Sequence, residues 1–242
     1  MLIKIFLAAG FALVAAQAQA LTMTHAWELN GTTADTQGGP AITLADPTGL
    51  GLTGYTFDMT EGATISGYVT GTTYTMEMKF SFDILENYLK ILDFKNFTTD
   101  DGFHTRGGGE LNWYDGDDLD SAASHVTAGT PVHLVLTRDG TNDNVVLYAN
   151  GALALSFTDS SALSVFSEAG GVIRLMADDT VTNNEYASGF LDYVRIYSDV
   201  ATASEALALS QVTDVAAVPV PASLPLLVIA LGGLGLLRRR KG

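Results

Sequence analysis

Tyr74, Met76, Met78, Phe80 and Phe82 alternate with Thr75, Glu77, Lys79 and Ser81. In an extended chain, side chains at i and i+2 share a face, so this run places its aromatics and methionines on one buried side of a sheet. A period of two held this long does not fit an amphipathic helix, and this restricts the fold more than any other stretch. Val132-His133-Leu134-Val135-Leu136-Thr137-Arg138 repeats the pattern more weakly. Val145–Ala149 and Leu153–Phe157 flank Asn150-Gly151. That pair predicts a tight hairpin, because both central positions of such a turn need positive φ. Further strands are predicted at His25–Leu29, Ala63–Tyr68, Tyr88–Phe94, Glu110–Tyr114, Gly171–Met176 and Phe190–Tyr197. Many short strands separated by Gly, Asp, Asn and Thr clusters predict an all-β antiparallel sandwich, not a parallel α/β sheet. Helical signal is confined to Thr202–Leu209, where Thr202 as N-cap and Glu205 at N3 form a capping box.

The two ends differ from this body. Lys4, an apolar run from Ile5 to Ala16 and the small-x-small triplet Ala18-Gln19-Ala20 predict a secretory signal peptide over residues 1–20, cut after Ala20. Residues 211–217 read as a spacer. Beyond it, Val218-Pro219-Val220-Pro221-Ala222 leads into an apolar run ending at Leu237 and a cationic stop, Arg238 to Lys241. Leu224 to Leu237 is short for a ~30 Å hydrocarbon core, and the prolines upstream oppose extending it as a helix. The cationic stop would stay on the cytoplasmic side. This three-part layout resembles the C-terminal sorting signals of the PEP-CTERM type, closest to the VPLPA variant of Gram-negative bacteria. It departs from that variant at Val220, where leucine is usual, and no glutamate stands between the prolines. The resemblance implies a sorting protease or transpeptidase in the membrane as partner. Membrane contact would be through the tail only, with release or surface attachment afterwards.

The chain has 27 acidic and 12 basic residues. Five of the basic ones, Lys4 and Arg238 to Lys241, lie in the ends, so the segment between holds 27 acids against 7 bases, a formal charge of −20. Such a body repels nucleic acid and anionic lipid. No cysteine is present, which excludes disulfides and thiol chemistry. Residues 21–210 are long enough for one domain with its own core.

The order of elements carries a second resemblance. Trp27-Glu28-Leu29-Asn30-Gly31 precedes Asp35-Thr36-Gln37-Gly38-Gly39. The hairpin Leu147-Tyr148-Ala149-Asn150-Gly151 and the closing run Leu191-Asp192-Tyr193-Val194-Arg195-Ile196-Tyr197 follow the long aromatic strand. This succession resembles the laminin G-like, concanavalin A-like jelly roll of bacterial exported proteins. It implies two curved antiparallel sheets, flanked here by an N-terminal signal helix and a C-terminal hydrophobic helix. It also implies a structural calcium ion tying the early loop to the closing strand, through Asp35, Asp192 and more weakly Asn30.

Catalytic signals are sparse. Glycoside hydrolases need two carboxylates across the scissile bond, and no Glu-x-Asp-x-x-Glu strand is present. Asp115, Asp117, Asp118 and Asp120 are dense, but Gly116 and the lack of apolar alternation assign them to an acidic loop. His25, His104, His125 and His133 stand in no triad or His-x-x-x-His context. Sugar binding needs an exposed aromatic, and Trp113 and Tyr114 beside the acidic run are the candidates. Adjacent strand residues face opposite ways, so one of the two belongs to the core. The resulting expectation is an exported, non-catalytic module that recognises a glycan or surface partner. The alternatives are a structural component of the envelope or matrix, or a glycan hydrolase or lyase.

Overall fold

Met76, Met78, Phe80 and Phe82 all point into one apolar layer, as their alternation requires. A computed structural model describes residues 21–59, 61–67, 71–166, 171–178 and 185–212. Ala18, Ala20 and the sorting segment from Val218 to Ala222 lie outside the described residues, as does the apolar run that follows.

The strands in chain order are β1 (Met23–Trp27), β2 (Thr43–Leu44), β3 (Tyr55–Phe57), β4 (Ala63–Ile65), β5 (Tyr74–Phe82), β6 (Leu89–Asp93) and β7 (Gly102–Thr105). They continue as β8 (Glu110–Tyr114), β9 (Asp118–Ser124), β10 (Val132–Asp139), β11 (Asn144–Ala149), β12 (Ala152–Thr158), β13 (Ile173–Leu175) and β14 (Gly189–Tyr197). One sheet runs β1-β14-β5-β10-β11-β12, with β3 also on β14; the other runs β2-β4-β13-β6-β7-β8-β9. Every strand pair is antiparallel. The fold is therefore an all-β jelly-roll sandwich.

The core lies between the sheets and is aromatic toward one end. Trp113 of β8 stacks on Phe157 of β12 at 5.0 Å between ring centroids and meets Phe103 of β7 at 4.9 Å. Phe157 belongs to the first sheet and Trp113 to the second, so this stack joins the two layers.

The other face of β5 is also covered, although the alternation assigned it polar residues. Thr75 and Glu77 are fully buried. A second apolar patch of Val135, Tyr148, Ala201 and Ala206 closes part of this outer face. Ala206 comes from α1 (Ala203–Ser210). Thr202 and Glu205 form the expected capping box, with Thr202 Oγ1 accepting from Glu205 N and Glu205 Oε2 accepting from Thr202 N.

The acidic run is corrected by the fold. Asp115 to Asp117 turn the chain, but Asp118 and Asp120 lie in β9, not in a loop. β9 ends its sheet and is exposed along most of its length, so it needs no apolar alternation. Its carboxylates also discourage pairing with another chain.

Asn150 and Gly151 make the predicted hairpin, with φ of 50° and 78°. A Cβ on Gly151 would stand 2.6 Å from Ser210 Oγ and 3.0 Å from Leu207 Cα of α1. Gly151→Ala is expected to destabilise the domain by at least about 1 kcal/mol, through both the αL penalty and this contact. Thermal unfolding by circular dichroism reads it; an unchanged midpoint would mean that α1 does not seat on the hairpin.

Candidate functional site

The registers of β6 to β9 put Lys90, His104, Asn112 and Asp120 in one row across four strands. Phe103, Leu111 and Trp113 on the same strands face the core, so this row lies on the outer face of the second sheet. Tyr114, which pairs with Asp118, stands in the adjacent row.

The open end of this face is an aromatic and polar cluster. The rings of Tyr88 and Tyr114, both half-buried, meet edge to face at 6.2 Å. The guanidinium carbon of Arg106 lies 4.2 Å from the Tyr88 ring centre. Arg106 reaches Asp118 at 3.1 Å and Asp120 at 3.4 Å. Asn112 Nδ2 donates to Asp118 at 3.1 Å and to Asp120 at 2.9 Å, and the Tyr88 hydroxyl donates to Asp118 at 2.9 Å. Burial works against the charge of Arg106, but the Tyr88 hydroxyl and the two carboxylates outweigh it and hold its pKa up. Burial, then the charges of Asp100 and Asp118, push the pKa of Tyr114 up, so its hydroxyl keeps its proton at neutral pH. Tyr88 has a φ of 62°, a left-handed conformation that is strained for an aromatic residue. This group offers ring faces for apolar contact and converging donors and acceptors for hydroxyls, the composition expected of a small-ligand site.

The covered end of the row holds Lys90 and His104, both buried. Lys90 Nζ donates to the Asp100 carbonyl at 3.0 Å and reaches its carboxylate at 3.4 Å. His104 Nε2 stands 3.6 Å from Glu185 Oε2. Burial, and then the charge of Lys90, depress the His104 pKa well below the usual imidazole value, so the ring is neutral.

The residues singled out in the sequence are dispersed. Tyr114 is at the open cluster, whereas Trp113 is 2% exposed and serves the core. The adjacent pair divides between two faces, as strand geometry demands. Asp35 accepts from Ala26 N and Gln37 N on Oδ1 and from Gly39 N on Oδ2, and Oδ2 is 2.5 Å from His25 Nδ1. Asp192 pairs with Lys79 at 2.8 Å. Asn30 is exposed. Each proposed calcium carboxylate thus has a protein partner of its own.

Arg106, Tyr88 and Asn112 escaped sequence reasoning. Only the alternation of Asn112 with Tyr114 in β8 could have flagged one of them.

A second polar cluster lies beneath the outer face of the first sheet. Glu77 receives the hydroxyls of Tyr197 at 2.5 Å and Tyr193 at 3.1 Å, with His133 Nε2 at 2.9 Å and Arg195 Nη1 at 3.4 Å. Arg195 also binds Glu28 through two parallel contacts of 2.8 Å each. All of Glu77's partners are on β10 and β14, so the cluster cross-links neighbouring strands.

Among the described residues, no helix is long and apolar enough to cross a membrane.

No curated protein matches the sequence. Among solved structures, domain 4 of AbnA, a GH43 extracellular arabinanase from Geobacillus stearothermophilus in complex with arabinotriose, is similar with a TM-score of 0.57 and 20% identity. The match covers 80% of this chain and 100% of that one. Trypanosoma rangeli sialidase, in complex with 2,3-difluorosialic acid, matches at a TM-score of 0.57 and 14% identity, over 78% of this chain but 32% of that chain. These likenesses concern the fold. The family model described as the concanavalin A-like lectin/glucanases superfamily matches residues 57–206, more than half of the sequence. With two antiparallel sheets in this arrangement, the chain belongs to the concanavalin A-like lectin/glucanase superfamily.

Proposed function

We propose that the protein is a glycan-binding module without catalytic activity of its own. The observation that carries this reading is the cluster of Tyr88, Tyr114, Arg106, Asn112, Asp118 and Asp120 on the outer face of the second sheet. The tyrosine rings would meet the apolar face of a sugar, and the amide, guanidinium and carboxylates would pair with its hydroxyls. The fold likeness to an arabinanase domain in complex with arabinotriose supports the same class of ligand.

A glycan array probed with the full chain, followed by calorimetry on the best ligand, tests the proposal. Tyr114→Ala should weaken binding at least about tenfold, equivalent to about 1.4 kcal/mol, while leaving thermal stability nearly unchanged. Failure to bind any glycan would favour a structural role in the envelope or matrix. Unchanged affinity in the variant would move the site elsewhere, and oligosaccharide cleavage would overturn the non-catalytic reading.

The module works outside the cell in this proposal. Residues 1–20 direct export, and residues 218–242 address the chain to a membrane protease that releases or anchors it. Mass spectrometry of the protein isolated from cells tests this: an intact Arg238–Gly242 end would overturn it.

A further inference from the structure

His104 is 1% exposed, and among the described residues neither ring nitrogen makes a well-formed hydrogen bond, although the Gly102 backbone is close enough to act on the ring. A buried polar group left without a partner costs about 1–3 kcal/mol, so such a ring calls for an explanation. Its surroundings supply one. Donor atoms of Asp100, His104 and Glu185 all lie within 4.8 Å of one another. Lys90 Nζ, through the Asp100 carbonyl, fixes the turn that carries Asp100. Glu185 is brought in by the segment preceding β14, whose carbonyl accepts from Lys90 N at 3.4 Å.

We propose that Asp100, His104 and Glu185 form a binding site for a divalent transition-metal ion of the zinc type. One imidazole and two carboxylates suit zinc, whereas calcium prefers oxygen donors alone. At bond lengths of about 2.0–2.2 Å, a tetrahedral ion draws its donors to roughly 3.5 Å apart. The three side chains therefore need close by only about 1 Å. Lys90 and Arg106 both act on His104 and oppose a second cation, but Arg106 is paired with Asp118 and Asp120, and the carboxylates of Asp100 and Glu185 stand against Lys90. Three protein ligands leave one coordination position for water or a ligand hydroxyl. The His104 ring lies 5.9 Å from Tyr88 and 6.4 Å from Tyr114, so the ion would border the open tyrosine cluster. This site stands whether or not that cluster binds sugar.

The test is calorimetric titration of the metal-stripped full chain with zinc chloride, in the absence of any glycan. One ion per chain is expected, with a dissociation constant at or below about 10 μM and calcium at least about 100-fold weaker. Glu185→Gln should weaken zinc at least about 30-fold. Glu185→Gln keeps the shape of this buried side chain and removes only its charge, and thermal unfolding of the variant checks that the fold is retained. His25→Ala, at a separate histidine–carboxylate pair, should bind zinc as the parent does. No zinc uptake, or uptake unaffected by Glu185→Gln, overturns the proposal. Failure of the glycan array, by contrast, leaves this titration unaffected.

Discussion

Glu77→Ala is expected to lower the stability of the domain by about 3–5 kcal/mol, the range found when one partner of a buried charged pair is removed. At about 2–4 °C per kcal/mol for a domain of this size, the midpoint should fall by roughly 10 °C. The carboxylate is fully buried and receives two tyrosine hydroxyls, with a histidine and an arginine beside it. Its removal leaves the Tyr193 and Tyr197 hydroxyls and the His133 ring without that acceptor. Arg195 keeps Glu28, which limits the damage. The same group predicts a pH dependence. Burial raises the Glu77 pKa, but hydrogen bonds from His133 and Tyr197 and the charge of Arg195 outweigh it, leaving it below the ordinary value of 4.5. A carboxylate whose folded pKa is lowered contributes stability that is complete above the unfolded value and is lost as pH falls through the folded one. The parent should therefore lose stability steeply below about pH 4.5, and Glu77→Gln should flatten that part of the profile. Denaturant unfolding between pH 7 and pH 3 measures both effects. A loss under about 1 kcal/mol in Glu77→Ala would mean that the cluster does not hold these strands together.

The elements legible in the sequence are those decided by neighbouring residues. β5 follows from its alternation, the β11–β12 turn from Asn150-Gly151, and α1 from its capping box. β2, β3, β7 and β9 were missed because their identity comes from distant partners. β2 has two residues, β7 begins with glycine, and β9 is an exposed edge rich in aspartate. The fate of Glu77 was hidden for a related reason. Alternation tells which side of β5 is apolar, but α1 and the residues before it, far along the chain, decide whether the other side is dry. The candidate site shows the same division. Tyr114 could be named from its aromatic neighbour, yet Tyr88, His104 and Arg106 join it only through the register of β6, β7 and β8. His104 and Glu185 are 81 positions apart, beyond any local metal spacing.

Trp113→Ala should be as damaging as loss of Glu77, but for a different reason. The indole lies between the sheets, 4.9 Å from Phe103, 5.0 Å from Phe157 and 5.7 Å from Phe94. Truncating a buried aromatic removes its transfer free energy and leaves a cavity, about 3–5 kcal/mol together. These neighbours sit on β7 and β12 and just after β6, so the space has little freedom to collapse. The midpoint should drop by roughly 10 °C, and Trp113→Phe should recover much of it. Tyr114, one residue on, points the other way and is half-buried. Its truncation should spare stability and weaken ligand binding. The two adjacent substitutions therefore separate the core from the site in one pair of measurements, thermal unfolding and glycan affinity. If Trp113→Ala kept its midpoint within about 2 °C and lost ligand instead, the indole would have to reach the surface, and the aromatic stack joining the sheets would be wrong.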